Sequence, residues 1–230
     1  MLIGPQNLAV HVNHVRSRIR HAASGAGRDP DSVTLIAVSK SQPAESAREV
    51  ATAGVTDFGE SYLQEAILKL DELADLPLHW HFIGGLQSNK TRAVAERFHW
   101  VHSIDRFSVA RRLSEQRPFH AGPLNLCIQV AVVPEPTKGG VDPRSLSELA
   151  ARTADLPRVK LRGLMCVPPP QPTVAAERAV FAQLRGLKER LSAEGHHLDT
   201  LSMGMSGDFE SAIAEGATHV RIGTALFGSR

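Results

Sequence analysis

The sequence predicts a (β/α)8 barrel. Eight short apolar or β-branched runs alternate with stretches of helical periodicity. The 230 residues come close to the ~250 usual for that fold. The competing architecture, a doubly wound sheet, lacks its fingerprint: no G-x-G-x-x-G follows the first strand and no Walker sequence occurs.

Each element has its own justification. Within residues 5–22, Leu8, Val12, Val15 and Ile19 form one stripe at helical spacing, an extra amphipathic helix ahead of the barrel that Gly25, Gly27 and Pro30 end. In Val33-Thr34-Leu35-Ile36-Ala37-Val38-Ser39-Lys40, six of the first seven residues are apolar or β-branched, as in a strand buried on both faces. A helix over 43–54 opens with Pro43, and Asp57-Phe58-Gly59-Glu60 is the second strand. Leu63, Ile67, Leu70 and Ala74 share one face of a helix over 61–74. A strand over 79–84, a helix over 89–98 and a strand over 100–104 follow, with Asp105 placed to cap the helix that runs through Leu113. The fifth strand spans 124–133, and Asp142-Pro143 supplies an N-cap and a first-turn proline for a helix through Leu156. The sixth strand spans 159–167, and Pro168, Pro169, Pro170 and Pro172 stiffen the loop after it. Val180, Leu184, Leu187 and Leu191 mark a long helix, and strands over 200–204 and 219–227 flank a helix over 208–216. With no repeat, low-complexity tract or linker, residues 1–230 read as a single domain, residues 1–25 packing as a helix on the barrel.

Composition excludes several function classes. Apolar residues make up 42% and charged residues 22%, which is ordinary for a globular chain with a full core. A formal charge of +2 without a dense basic run argues against nucleic-acid or membrane-surface partners. No apolar stretch approaches spanning length and no signal-peptide pattern follows Met1, so the expected location is the cytoplasm. Cys127 and Cys166 fall in expected strands and read as buried free thiols, ahead of a disulfide or a metal pair.

Lys40 ends the first strand, where desolvation favours the neutral amine that a Schiff-base nucleophile needs. The simpler reading is a lysine that snorkels into water. A barrel carries its active residues at the C-terminal strand tips and a phosphate site after strands seven and eight. Two segments fall at that place. Leu201-Ser202-Met203-Gly204-Met205-Ser206-Gly207-Asp208 leads from a strand tip into a helix, and Val220-Arg221-Ile222-Gly223-Thr224 closes the last strand. Each alone is weak, because Ser-Gly runs often only cap helices and Arg221 suits a structural ion pair. With Lys40 they point to a phosphorylated aldehyde held at both ends.

These and further segments resemble the pyridoxal 5′-phosphate homeostasis protein family, relatives of the barrel domain of alanine racemase. The pieces run in order: Ala37-Val38-Ser39-Lys40, Phe58-Gly59-Glu60, Trp80-His81-Phe82-Ile83-Gly84, Leu86-Gln87-Ser88-Asn89-Lys90, His102-Ser103-Ile104-Asp105, Lys138-Gly139, Gly163-Leu164-Met165, Ser202-Met203-Gly204-Met205-Ser206 and Arg221-Ile222-Gly223-Thr224-Ala225-Leu226-Phe227-Gly228. The resemblance implies an α/β barrel of the alanine-racemase N-terminal type (fold type III of pyridoxal phosphate proteins) that binds pyridoxal 5′-phosphate. Carried over, Lys40 bears the cofactor as a Schiff base, and Ser202, Ser206, Gly223 and Thr224 line its phosphate. Met203 is also a cofactor-binding position, and Arg221 faces the pyridine nitrogen. Such proteins are expected to buffer, carry or deliver the cofactor to apoenzymes dependent on it, with no catalytic residue and no metal. A weak amino-acid racemase and a Schiff-base aldolase are the alternatives. Two departures stand out: Ser61 and Ala131 occupy positions where the family usually has Asn.

An always-charged Arg221 cannot accept the ring nitrogen's proton, which weakens the electron sink that racemisation needs. The one tyrosine, Tyr62, is expected to pack near the second strand with its hydroxyl at the rim, a base role being secondary. The chain ends just past the barrel without a racemase's dimer domain, so a monomer is expected. His79 and His81 share a strand face at metal-ligand spacing, but with no further ligand cluster they read as polar residues at the barrel mouth. Trp80 and Phe82 read as core, His196-His197 as a solvated loop, Lys90 and Arg92 as surface charges, and Lys138 as a solvated loop lysine.

Overall fold

The computed structural model describes residues 8–133 and 139–228. Eight parallel strands close into a barrel in sequence order: β1 (Thr34–Val38), β2 (Asp57–Glu60), β3 (His79–Phe82), β4 (Trp100–Ile104), β5 (Leu124–Gln129), β6 (Val159–Met165), β7 (Thr200–Ser202) and β8 (His219–Ile222). The ring closes through Leu35↔Val220 and Ile36↔Arg221, which pair β1 with β8. Around it lie α1 (Leu8–Gly25), α2 (Ala44–Thr52), α3 (Leu63–Glu72), α4 (Thr91–Arg97), α5 (Phe107–Gln116), α6 (Leu146–Ala154), α7 (Val174–Ala193), α8 (Phe209–Ala214) and α9 (Thr224–Phe227). No described helix is long and apolar enough to cross a membrane.

Because α1 precedes β1, it is additional to the eight βα units. It buries the expected stripe, Leu8, Val12, Val15 and Ile19, together with Ala23, against α2, α8 and α9. Polar ties fix its ends: Leu8 N–H donates to Glu49 Oε1 at 2.9 Å, and Arg28 Nη1 donates to the Ile213 carbonyl at 2.9 Å.

Strands begin where the sequence places them within a residue, but several stop early. β3 ends at Phe82, β5 at Gln129 and β7 at Ser202. Past β3, past β6 (which ends at Met165) and past β7, the apolar runs continue with Ile83, Val167 and Met205, which line the open end of the barrel rather than a sheet face. The largest difference is at the last strand, which ends at Ile222; Thr224–Phe227 is a helical turn. Leu226 and Phe227 are buried there, so a short apolar run again failed to distinguish strand from helix.

Two expected caps are also corrected. Asp105 does not cap α5: the N-cap position is Arg106, and Asp105 Oδ1 instead accepts from the Arg106 guanidinium at 2.7 Å. The Asp142 carboxylate accepts the Arg144 N–H at 2.8 Å in a turn, and α6 begins only at Leu146. Proline at 143 serves that turn, which delays the helix.

Cys127 and Cys166 are buried and free, and burial pushes the Cys166 thiol up to about 12. Trp80 and Phe82 are core residues, as expected. One glycine sets a strand spacing. A Cβ on Gly163 would lie 1.8 Å from the Thr200 carbonyl oxygen, its register partner in β7. Backbone cannot yield as a flexible side chain does. Gly163→Ala is therefore expected to lower stability by at least ~2 kcal/mol, at the upper part of the range for overpacked cores. Urea unfolding of the two proteins checks it, and an unchanged midpoint contradicts the close approach.

Candidate functional site

At the C-terminal end of the strands, the mouth of the barrel, lies an open cavity of about 640 Å3. Lys40, Ser206, Arg221, Gly223 and Thr224 all line it, brought together from the ends of β1, β7 and β8. Ser61 lines it as well, with the apolar Val38, Ile83, Val167 and Met205. Those apolar neighbours were not anticipated as site residues: Val38 ends β1, and Ile83, Val167 and Met205 are apolar residues running past a strand end.

Lys40 is half-buried, two residues beyond the end of β1. The backbone on either side of it is clasped. Lys69 of α3 donates to the Ser39 carbonyl at 2.7 Å, to Glu60 Oε1 at 2.6 Å and to Glu65 Oε1 at 3.1 Å. Ser39 Oγ donates to the same Glu60 oxygen at 2.7 Å. On the far side Glu65 Oε1 accepts the Ser41 N–H at 2.5 Å. Ser41 has φ of 60°, a conformation that L side chains rarely adopt, so the clasp holds a strained turn. Burial pushes the Glu60 carboxyl above its usual range, and the Lys69 ammonium beside it pulls the other way.

Across the cavity, Arg221 is buried and held at both terminal nitrogens. Nη1 donates to Ser202 Oγ at 2.7 Å, and Nη2 donates to the Cys166 carbonyl at 2.8 Å. Burial lowers its pKa from the ordinary arginine value. Between β7 and α8, Gly204 has φ of +94° and a Cβ there would meet Ala212 Cβ at 2.7 Å, so only glycine fits the turn. That turn carries Ser206 to α9, where its hydroxyl accepts the Ala225 N–H at 3.2 Å. Ser206, the loop at Gly207 and the first turn at Gly223–Thr224 thus converge on one side of the cavity, with helix-start N–H groups and hydroxyls suited to an anion.

Ser202 and Met203 lie elsewhere. Both are fully buried and neither lines the cavity. The Met203 N–H donates to the His219 carbonyl at 3.1 Å, and Ser202 faces Arg221 and His102 inside the barrel. Tyr62 is 55% exposed at the start of α3 and outside the cavity lining, which corrects the packed ring that was expected. His79 and His81 do not sit at the mouth: they open β3 at the opposite end, with His79 exposed and His81 buried in the barrel interior. Ala131 lies just beyond β5, its N–H donating to the Val141 carbonyl at 3.0 Å, and Lys138 lies outside the described residues.

The pattern of the alanine racemase N-terminal domain matches residues 10–230. A pyridoxal phosphate homeostasis protein of Pseudomonas aeruginosa is 57% identical over 97% of this chain and 96% of its own length. The chain belongs to the pyridoxal phosphate homeostasis protein family. The structure of PipY from Synechococcus elongatus, solved with pyridoxal phosphate bound, is 42% identical with a TM-score of 0.85, over 96% of this chain and all (100%) of that one. An alanine racemase of Clostridium difficile, 14% identical with a TM-score of 0.73, shares the fold over 97% of this chain and 57% of its own.

The barrel interior has a titration consequence. Burial lowers the pKa of His81 and His102 below 6.5 and that of His219 to about 3. A histidine kept neutral in the folded state protonates only on unfolding, so its contribution is present above pH ~6.5 and is lost as pH falls below it. Each contributes a slope of about 1.4 kcal/mol per pH unit in that window. Stability measured by urea unfolding at stepped pH is expected to fall steeply below 6.5, and His219→Gln to remove about one proton's worth of that slope. A flat profile overturns the neutral assignment.

Proposed function

We propose that this chain binds pyridoxal 5′-phosphate in the mouth cavity, holds it as a Schiff base on Lys40, and takes part in homeostasis of that cofactor by buffering, carrying or delivering it, without turning over a substrate. One observation carries the reading. An amine, a guanidinium and an anion cradle line one cavity, in a chain 42% identical to PipY, whose structure was solved with pyridoxal phosphate bound.

The residues present fit the group by their chemistry. Lys40 supplies the amine, on a turn whose backbone Glu65 and Lys69 fix on both sides. Ser206, Gly223 and Thr224 supply hydroxyl and backbone donors for a phosphate. Arg221 offers a donor, never an acceptor, to a ring nitrogen. When bound, the cofactor supplies an aldehyde for an amine and an electron-withdrawing ring.

The same residues argue for binding without turnover. Racemisation needs proton exchange on both faces of a substrate. Among the described lining residues, Lys40 and Arg221 carry the only ionisable side chains. Arg221 stays charged and leaves the ring nitrogen without a proton, so carbanion chemistry gains little. Tyr62, the candidate second base, is more than half exposed and outside the cavity lining.

The deciding experiment is an absorbance spectrum of the purified protein with added pyridoxal phosphate, followed by borohydride reduction, peptide mapping and proton exchange of amino acids in heavy water. A chromophore that borohydride fixes onto Lys40, its complete loss in Lys40→Ala with the fold intact, and no α-proton exchange across the amino acids are expected. No chromophore overturns the cofactor reading, and a borohydride-trapped sugar phosphate in its place establishes an aldolase. Exchange that the Lys40→Ala substitution abolishes establishes a racemase-type enzyme.

A further inference from the structure

Asp57, His81, His102, Ser202 and Arg221 sit on five different strands, yet a continuous run of hydrogen bonds joins them through the barrel interior. Asp57 Oδ1 lies 3.0 Å from His81 Nε2, and His81 Nδ1 lies 2.9 Å from His102 Nε2. His102 Nδ1 lies 2.8 Å from Ser202 Oγ, crossing from β4 to β7, and Ser202 Oγ accepts from Arg221 Nη1 at 2.7 Å. His81, His102 and Ser202 are fully buried. Asp57, at the start of β2, borders a second, polar cavity of about 260 Å3 at the barrel's other end.

With both imidazoles neutral, as their complete burial favours, the two ends determine every proton between them. A guanidinium only donates and a carboxylate only accepts. Asp57 therefore takes the Nε2–H of His81, which leaves His81 Nδ1 as an acceptor. His102 must then donate from Nε2 and accept at Nδ1, and only the Ser202 hydroxyl is there to donate to it. Ser202 in turn receives Arg221. All four bonds point from Arg221 toward Asp57. Both imidazoles are neutral in this arrangement, in agreement with burial lowering their pKa. Neighbouring titratable groups do not interrupt it: His79 lies 3.6 Å from Asp57 on the exposed side, and His219 is engaged by Thr218 Oγ1 at 2.9 Å. Arg162 lies over Trp100, and on the Arg221 side Asp208 contributes charge while Cys127 and Cys166 are buried thiols.

We propose that Asp57, His81 and His102 are positioning residues that, through Ser202, fix the orientation and donor polarity of Arg221 toward the mouth cavity from the opposite end of the barrel. Because each bond in the chain points away from Arg221, the chain has no proton to hand back to it. Arg221 is thus presented to a ring nitrogen as a fixed donor that is not replenished from behind. That last consequence rests on the cofactor reading above; the polarity of the chain does not.

The test has two arms. In protein without ligand, 15N–1H NMR of the imidazoles is expected to show His81 and His102 each as a single Nε2–H tautomer. Asp57→Leu, made at the far end, is expected to turn His102 into a mixture of tautomers, although His102 does not touch residue 57. Asp57→Glu, which restores an acceptor, is expected to recover the single form. A wild-type His102 protonated at Nδ1, or one that Asp57→Leu leaves unmoved in a folded protein, overturns the proposal. In the second arm, dissociation constants are compared for pyridoxal phosphate and its 1-deaza analogue, which lacks the ring nitrogen. Wild type is expected to prefer the natural ring by about tenfold, as for a hydrogen bond from a charged donor, and Asp57→Leu to shrink that preference severalfold. An equal preference in both proteins overturns the positioning role even where the first arm succeeds. If neither compound binds, the cofactor reading fails while the NMR arm still decides the chain.

Discussion

A guanidinium enclosed in a barrel imposes conditions on everything around it. Arg221 cannot shed its charge and cannot accept a hydrogen bond, so each buried N–H needs an acceptor and each acceptor needs its own orientation fixed. Two are supplied locally, by Ser202 and by the Cys166 carbonyl. Ser202 is itself oriented by His102, and His102 by His81. Barrel interiors of this class are ordinarily filled by layers of branched apolar side chains. Here much of the lower interior is His81, Trp100, His102 and His219, with ring centroids 5.1–6.3 Å apart where they neighbour one another. The aromatic faces supply packing volume, and the ring nitrogens supply polarity where it is needed.

The lysine side of the cavity is solved by different means, outside the barrel wall. Glu60 alternates with Gly59 along β2, so its side chain points outward and meets Lys69 of α3. A buried ion pair of this kind is poor evidence for stability, since desolvation offsets much of its attraction. Its value is positional. The same ammonium that balances Glu60 also holds the Ser39 carbonyl, and Glu65, which that ammonium touches, holds the Ser41 N–H. Lys40 is left as the one residue of that turn whose side chain reaches the cavity, with its backbone fixed on both flanks.

What the sequence revealed and what it hid follow from the range of the interactions. Strand starts and the α1 stripe were legible because β-branched runs and helical spacing are local properties. Lys40, Ser206, Arg221, Gly223 and Thr224 were legible because the fold class alone puts strand tips at the mouth. Strand ends were not, since Ile83, Val167 and Met205 are apolar for the cavity's sake. Ser202 looked like a phosphate ligand because it shares a Ser-Gly segment with Ser206, yet it is still inside β7 while Ser206 is past the turn. The interior chain left only a faint signal. Asp57, His81 and His102 each sit at inward positions of a strand, but their partners come from residues as distant as His102 and Ser202, 100 positions apart.

That spacing also explains why the interior has to be understood as one unit. Remove any single member and its neighbours remain buried polar groups that have lost a partner, and an orphaned buried donor or acceptor is more destabilising than the lost bond alone. A serine-to-alanine change at 202 leaves both His102 Nδ1 and Arg221 Nη1 to find new partners among buried atoms. An imidazole replaced by a hydrocarbon at 102 strands His81 and Ser202 in the same way. Substitutions along the chain are therefore coupled rather than additive, and replacing adjacent members together is tolerated better than the sum of the single changes. The mouth cavity inherits this property. Arg221 presents its remaining N–H groups at one fixed angle because four other strands hold the residues behind it, and no local change at the mouth reproduces that constraint.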